Sequence, residues 1–354
     1  MRITRARLLP YRLPLRRPWR SARGELRERS GWLIELQTES GLTGQGDCAP
    51  LPEAGTETPA TALACLQRWG ARLPGLEAEA ALHHIEAAAD LTPAARCGVE
   101  TALLDLAACA AHEPLAYWLS RDATLAVPVN AVLGALDTQV GQRAAAALAQ
   151  GFDILKLKVG LYPMAQELAQ LHQLATALPH DAALRLDANG RWSEAEARIF
   201  LAELATLPVE SVEEPLAVPN PDALARLQKL VPFPLALDES LRSISTDTCL
   251  QHHPVHRLIL KPMVLGGPRL ALALARRAYT AGLECVVTTT VDSAVGVRAA
   301  AHLAGALNNG LAHGLATSTW LQQDVGPPPG IEKGILRLED MPGLGLRGLA
   351  AHGI

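Results

Sequence analysis

Short apolar runs that end in an ionisable residue recur through the second two thirds of the chain. In sequence order they are ILKLKVG, LRLDANG, SVEEPL, LALDESL and LILKPM. Near-continuous apolar runs of this kind are typical of strands buried on both faces of a parallel sheet. Ala- and Leu-rich helical patterns separate them, and the run ends recur roughly every 23 to 29 residues, the length of one βα unit. The pattern therefore predicts a parallel sheet of βα units.

The ionisable ends favour a closed barrel over an open sheet. Five consecutive predicted strands carry them, whereas an open sheet concentrates its ligand groups at one switch point. In a barrel all the carboxyl ends of the strands converge on one face. No G-x-G-x-x-G motif follows the first predicted strand, and no Walker A motif is present. We therefore predict an α/β fold with a TIM-like barrel of seven or eight βα units over residues 121–325.

The first third of the chain has a different pattern. Residues 2–9 and 31–38 alternate as strands do, and helical patterns follow at about 59–73, 76–89 and 93–110. The Pro-, Arg- and Gly-rich stretch at about 14–29 predicts a loop. We expect residues 1–120 to form an α+β domain, and the Gly- and Pro-rich residues 326–354 to return and pack on it.

Composition and charge narrow the choice of partners. Of the 354 residues 49% are hydrophobic and 19% charged, which is typical of a globular protein. The net charge of -4 and the absence of a lysine-rich tract give no reason to expect nucleic acid as a partner. No run approaches the ~20 apolar residues of a membrane span. The six scattered cysteines are typical of reduced core residues, so we expect a cytoplasmic protein, whose oligomeric state stays open.

Three acids stand at successive strand ends: Asp187, Glu213 and Asp238. Each could be only an N-cap of the helix that follows. Together, without His or Cys, they form an all-oxygen set that suits Mg²⁺, or Mn²⁺, better than zinc. We expect Asn189 and Glu239 to orient these ligands by hydrogen bonds.

Glu214 follows Glu213 directly and therefore has the opposite parity. If Glu213 points into the barrel, we expect Glu214 to be an exposed charge or a partner of a neighbouring lysine.

Lysines accompany these acids inside the predicted barrel. Lys156 and Lys158 lie two apart on one strand and so share a face, and Lys261 ends another strand. A buried ammonium is costly unless it is paired, and burial shifts its pKa. Lysines on both sides of a metal suit proton abstraction next to a carboxylate. The alternative is that they only neutralise the acids.

The motifs KLKVG, LDANG, VEEP, LDES and LKP, in this order and spacing, resemble the enolase superfamily, specifically its muconate-lactonising subgroup. The resemblance covers nearly the whole chain. It implies a capping domain over a modified TIM barrel, (β/α)7β, and Mg²⁺ bound by the three acids. It also implies Lys158 as the base, Lys261 on the opposite face of a small carboxylate substrate, and Lys156 in support.

Within the subgroup the sequence most resembles the o-succinylbenzoate synthases of menaquinone biosynthesis. Arg185 matches an arginine of one branch of them, and its parity with Asp187 aims it at a substrate carboxylate. KLKVGLYP and GDCAPLPEAGTET extend the match. Asp292 stands where the family usually has Glu, and Ser293 and Gly296 fit a substrate contact through hydroxyl or backbone N–H.

Two alternatives stay open. An N-acyl amino acid racemase or dipeptide epimerase would use the same two lysines as an acid/base pair. The segment HGLATSTW lacks the paired aspartates with which dipeptide epimerases of this subgroup hold the substrate ammonium, which weakens that reading. An inactive barrel with a binding role is the third hypothesis.

Overall fold

An antiparallel sheet with helices precedes a parallel barrel in the computed structural model, which describes residues 1–21, 24–89 and 92–346. The strands of the first part are β1 (Ile3–Ser21), β2 (Gly24–Thr38) and β3 (Thr43–Cys48), adjacent in that order. Its helices are α1 (Pro59–Arg72), α2 (Ala78–Ala87), α3 (Pro93–Ala110) and α4 (Leu115–Leu119). This is the N-terminal cap that the sequence predicted. Strand β3 and the short helix α4 were not expected.

Two glycines let the cap sheet lie directly on α3. A Cβ on Gly44 would lie 2.2 Å from the carbonyl oxygen of Ala102, and a Cβ on Gly46 would lie 1.9 Å from that of Gly98. No side chain fits at either position, so the sequence TGQGDC of β3 is required by the packing of backbone on backbone.

The loop expected at about 14–29 was wrong. β1 and β2 continue to pair there, with Trp19 opposite Leu26 and Ser21 opposite Gly24, and residues 22 and 23 lie outside the described residues. Prolines suggested a loop, but β1 is an edge strand, where a proline removes no hydrogen bond that a neighbouring strand needs.

Seven parallel strands form the barrel sheet, and their spatial order follows the sequence. They are β5 (Ala131–Ala135), β6 (Ile154–Lys158), β7 (Ala183–Asp187), β8 (Val209–Glu213), β9 (Leu235–Leu237), β10 (Arg257–Leu260) and β11 (Glu284–Val287). An eighth segment closes the ring through single parallel bridges, His313 with Val129 and Gly314 with Thr288. The predicted (β/α)7β barrel is confirmed.

Helices alternate with these strands on the outside of the barrel. They are α5 (Val140–Ala149), α6 (Met164–Ala177), α7 (Glu194–Leu204), α8 (Pro221–Gln228), α9 (Thr246–His252), α10 (Pro262–Leu265), α11 (Pro268–Thr280) and α12 (Ala294–Leu307). Leucines and valines of the strands are buried against them, which explains the near-continuous apolar runs. None of the helices in the described ranges is long and apolar enough to cross a membrane.

The segment after the barrel contacts both parts of the chain. β12 (Gly330–Glu332) and β13 (Ile335–Arg337) form a small antiparallel sheet with β4 (Ala126–Pro128). Farther on, the backbone N–H of Leu344 donates to Asp105 of α3, at 2.7 Å. Residues 347–354, the end of the segment that was predicted to pack on the first domain, lie outside the described residues. The exact domain boundaries stay a prediction.

Candidate active site

The three acids border one cavity of about 740 Å³ at the carboxyl ends of the barrel strands. In the sheet Lys158 lies opposite Asp187, and Asp187 lies opposite Glu213. Asp238 directly follows β9, the next strand. The register therefore brings these side chains to one level of the barrel, where the cap loop residues Glu53 and Ala54 face them across the cavity.

Two lysines hold the acids in place. The Lys156 ammonium hydrogen-bonds to Glu213 and lies 3.4 Å from the Asp187 carboxylate. The Lys261 ammonium donates to Asp238 at 2.6 Å and lies 4.0 Å from Glu239. Because burial alone would lower a lysine pKa, the raised pKa of both lysines reflects these carboxylates. Both are therefore cations in this site.

Lys158 differs from the other two lysines in its pKa. Burial is the largest influence and lowers this pKa, and the cations Lys156 and Lys261 lower it further, although Asp187 opposes them. A lowered pKa increases the neutral fraction that can accept a proton. Of the three lysines, Lys158 therefore has the environment of a base.

The donor set fits a divalent cation. Asp187, Glu213 and Asp238 offer only carboxylate oxygens, the ligands that Mg²⁺ prefers. Burial and the nearby Glu239 and Glu213 raise the pKa of Asp238 to about 8, because crowded buried carboxylates resist ionisation. Within the described ranges no three His, Cys, Asp or Glu side chains already surround one point, and lysines neutralise these acids instead. A bound cation would relieve the same crowding.

Asn189 and Glu239 lie beside the acids, as their positions in the sequence require. The backbone N–H of Asn189 donates to Asp187 at 3.0 Å, and Asn189 has a left-handed φ of 45°. Glu239 borders the cavity near Lys261. Asn189 thus contacts Asp187 through its backbone, and it also borders the cavity.

Glu214 is buried, so the expected exposed charge was wrong, and so was pairing with a lysine. Its carboxylate accepts hydrogen bonds from the backbone N–H of Asp238 at 2.6 Å and from the N–H and hydroxyl of Ser240 at 2.9 and 2.5 Å. A left-handed φ of 47° at Glu214 ends the strand alternation on which the parity argument depends. The residue that the sequence could not place therefore fixes the loop that carries Asp238.

Arg185 faces the barrel interior, but its guanidinium is already occupied. It makes four hydrogen bonds: two with the Glu210 carboxylate, one with the Asn130 side chain and one with the Ala312 carbonyl, at 2.9 to 3.2 Å. Arg257 binds the same Glu210. Arg185 therefore forms part of the cavity floor with four of its five N–H groups already bound, and its expected contact with a substrate carboxylate stays a prediction.

Glu210 itself was missed because of a β-bulge. Between β7 and β8 the register shifts by one residue after Leu184, and a bulge changes which face a side chain meets. Burial would raise the pKa of Glu210, but Arg185 and Arg257 outweigh it and lower the pKa to about 2. Glu210 is thus an anion between two buried arginines.

The substrate contacts expected for Ser293 and Gly296 were wrong. The hydroxyl and N–H of Ser293 donate to Asp47 of the cap, at 2.8 and 3.1 Å, and Ser293 is fully buried. A Cβ on Gly296 would lie 2.7 Å from the same carboxylate. Ser293 directly precedes α12 and Gly296 lies in its first turn, and both residues face the cap. In this region of the chain residues 288–291 form the cavity wall instead.

Comparison with known proteins agrees with this geometry. Residues 139–348 match the family described as "Enolase C-terminal domain-like", and residues 3–106 match "MenC, N-terminal domain". A chloromuconate cycloisomerase of Cupriavidus pinatubonensis is 30% identical over 95% of this chain and 93% of its own. An o-succinylbenzoate synthase of Thermosynechococcus vestitus is 33% identical over 83% of this chain and 86% of its own.

A solved structure has the same fold. It is the dipeptide epimerase from Enterococcus faecalis V583 complexed with Mg and a dipeptide, with a TM-score of 0.87 and 26% identity over 98% of this chain and 99% of that one. The relatives catalyse different reactions. They therefore agree on the fold and leave the reaction open.

Proposed function

Because the chain belongs to the enolase superfamily, we propose that it is an o-succinylbenzoate synthase. This lyase dehydrates a cyclohexadiene carboxylate (SHCHC) to o-succinylbenzoate in menaquinone biosynthesis. The observation that carries the proposal is the position of Lys158 and Lys261. They border one cavity from strands β6 and β10, which are four strands apart, so that the carboxylates lie between them.

In the proposed reaction Lys158 removes the proton from the carbon next to the substrate carboxylate, and the C–H electrons form an enediolate. Re-formation of the carboxylate expels the hydroxyl group from the neighbouring carbon. Lys158, now an ammonium, returns the proton, so that water leaves and the ring becomes aromatic. Lys261 stays cationic and stabilises the developing negative charge.

Asp187, Glu213 and Asp238 would hold the metal, Mg²⁺ with Mn²⁺ as an alternative. When bound, the metal would fix the substrate carboxylate and neutralise the charge that develops on it. Glu214 supports the loop of Asp238, and Lys156 contacts both Asp187 and Glu213. A small-molecule carboxylate is the proposed partner.

The two lysines are unequal, which supports one-base dehydration. Lys261 is ion-paired with Asp238 at 2.6 Å, whereas the pKa of Lys158 is lowered by burial. A two-base racemase needs either lysine to take the proton. The match of residues 3–106 to a MenC N-terminal domain supports the same choice.

The second candidate is an N-acyl amino acid racemase or a dipeptide epimerase, favoured by the likeness to the epimerase structure. For a dipeptide the substrate ammonium needs a facing carboxylate. The eighth segment contributes Gly314 and Thr317 to the cavity wall, and neither is acidic. This weakens the dipeptide reading but leaves N-acyl amino acids open.

The test is a pair of assays on one enzyme preparation. Dehydration of the cyclohexadiene carboxylate is followed with added Mg²⁺ and with EDTA, and the proposal expects turnover that EDTA abolishes. In parallel, N-succinyl amino acids are incubated in deuterated water. Deuterium in both enantiomers, without dehydration activity, would select the racemase. Neither activity would favour an inactive barrel with a binding role.

A further inference from the structure

We propose that Arg29, on cap strand β2, is a positioning residue for the substrate cavity. It holds Val291, in the loop after β11, in a left-handed backbone conformation. The wall segment 289–291 borders the cavity, so the cap would set the shape of a barrel wall. This inference does not depend on which substrate the enzyme uses.

Val291 has a backbone conformation that valine rarely adopts. Its φ is 61°, and it is the one β-branched residue among the seven non-glycine residues with positive φ in the described ranges. A branched Cβ collides with the backbone in this region. Such a conformation persists only where the surroundings impose it. A contact with the surrounding structure must therefore impose the left-handed conformation on Val291.

Arg29 makes the contact that fits. Its Nε donates to the Val291 carbonyl at 3.1 Å. The other nitrogens donate to the cap carbonyls of Pro50 at 3.1 Å and Ala49 at 2.7 Å, and to the Thr290 hydroxyl at 3.5 Å. The side chain is only 2% exposed. A rigid, buried guanidinium thus ties the strained turn to a loop of the cap.

Asp292 closes the same turn from the barrel side. Its carboxylate accepts from the backbone N–H of Thr290 at 3.2 Å and from the Thr290 hydroxyl at 2.5 Å. It also lies 3.9 Å from the Arg29 guanidinium. The turn is therefore held on two sides, and Arg29 is the side that the cap provides.

A neighbouring contact attaches the cap to the barrel without Arg29. Asp47 accepts from Ser293 and from the Tyr11 hydroxyl, the latter at 2.7 Å. This attachment at the start of α12 remains when Arg29 is changed. Loss of Arg29 should then alter the wall segment rather than release the cap.

The first test is Arg29→Lys, which keeps the charge but loses the planar fork. We expect KM to rise about tenfold because a wall displaced by a fraction of an ångström weakens substrate contacts, with kcat nearly unchanged. Arg7→Lys is the control, since Arg7 forms an exposed ion pair with Glu35 on the same sheet. The substrate is whichever of the two classes above the unmodified enzyme turns over.

Val291→Gly makes the test specific, because glycine adopts positive φ freely. In a double-mutant cycle the proposal expects Arg29→Lys to raise KM much less in the V291G background than in the wild type. An equal rise in both backgrounds would overturn the proposal, because Arg29 would then act elsewhere. If R29K alone does not fold, the double variant must fold; failure of both would equally overturn it.

Amide hydrogen exchange gives a readout without substrate. The proposal expects R29K to speed exchange in a peptide covering 288–293 and to leave β9 and β10 unchanged. Unchanged exchange at 288–293 would contradict it. Because no turnover is measured, this result stands even if the proposed function is wrong.

Discussion

Two groups of charged side chains, most of them buried or half-buried, occupy successive levels of the same barrel. We name them the mouth cluster (Lys156, Lys158, Asp187, Glu213, Asp238, Lys261) and the floor network (Arg185, Glu210, Arg257, Glu284). On β7 they are only two residues apart, Arg185 below and Asp187 above, so the same strand alternation points both inward. Both groups mix acids with bases, yet they differ in the directions in which burial and neighbouring charges shift their pKa values.

The floor network pairs its charges with one another. Arg185 and Arg257 share the Glu210 carboxylate, and Arg257 also binds Glu284. In the mouth cluster the pKa of Asp238 is raised to about 8 while that of Lys158 is lowered. Buried charge alone therefore does not identify a site. Ionisable groups whose pKa values are shifted toward the neutral form, and which border a cavity, are the better indicator of a site.

The floor network should contribute more to the free energy of unfolding than any other group of charges compared below. Glu210→Gln leaves two buried arginines without their shared anion, and breaking such a pair costs about 3–5 kcal/mol. Urea unfolding at neutral pH should show this loss in the free energy of unfolding. Glu203→Gln, at an exposed position of α7, is the control. A loss below about 1 kcal/mol would remove the distinction between the two levels.

Lowering the pH should remove the contribution of Glu210 to the free energy of unfolding. The folded pKa of Glu210, about 2, lies below its ordinary value of 4.5, so its ionic stabilisation is complete above 4.5 and disappears as the pH falls through about 2. The difference in unfolding free energy between wild type and E210Q should narrow by about 3 kcal/mol over that window. A difference that is constant from pH 7 to pH 3 would contradict the pairing.

Glu214 supports the loop of Asp238, one of the three proposed metal ligands in the mouth cluster. Glu214→Ala removes the acceptor that fixes Asp238 and Ser240, and loss of such a support typically weakens metal binding by about 10–100-fold. Calorimetric titration with Mg²⁺ measures the change. Glu214→Gln keeps a carbonyl acceptor and should lose much less. Equal affinities for all three proteins would show that Glu214 does not position the site.

An exposed ion pair supplies the lower limit of the comparison. Arg226 and Glu194 lie 2.9 Å apart, with side chains 61% and 46% exposed. Arg226→Ala should change the free energy of unfolding by less than about 1 kcal/mol, and added salt should reduce even that. A larger effect would mean that burial is not what separates the floor network from surface pairs.

Periodicity predicted the elements because strands and helices repeat with different periods, and strand alternation also predicted the mouth cluster. The cap helices and the barrel strands were predicted close to their observed bounds, and the three acids and two lysines meet at one cavity. Two of the misses lie where alternation fails. A β-bulge between β7 and β8 changes the face on which Glu210 lies. A left-handed backbone conformation at Glu214 ends the alternation that was used to predict its environment.

Contacts between distant segments were equally beyond the sequence. Ser293 is bound to Asp47, which is 246 positions away, and Arg29 contacts Val291 across 262 positions. Parity placed Arg185 inside the barrel correctly. Its partner Glu210 decided its role, and no local pattern shows that partner.

One matched pair of variants tests the division between the two levels most directly. Lys158→Met and Arg185→Met each remove one basic side chain from neighbouring strands of the barrel. We measure kcat and the free energy of unfolding for both, on the substrate that the wild type turns over.

For Lys158→Met we expect kcat to fall at least about 10³-fold without loss of stability. For Arg185→Met we expect a loss of about 3–5 kcal/mol in stability, with kcat of the folded protein nearly retained. The reverse result, an inactive but stable Arg185→Met beside an active Lys158→Met, would place the chemistry in the floor network and contradict the account.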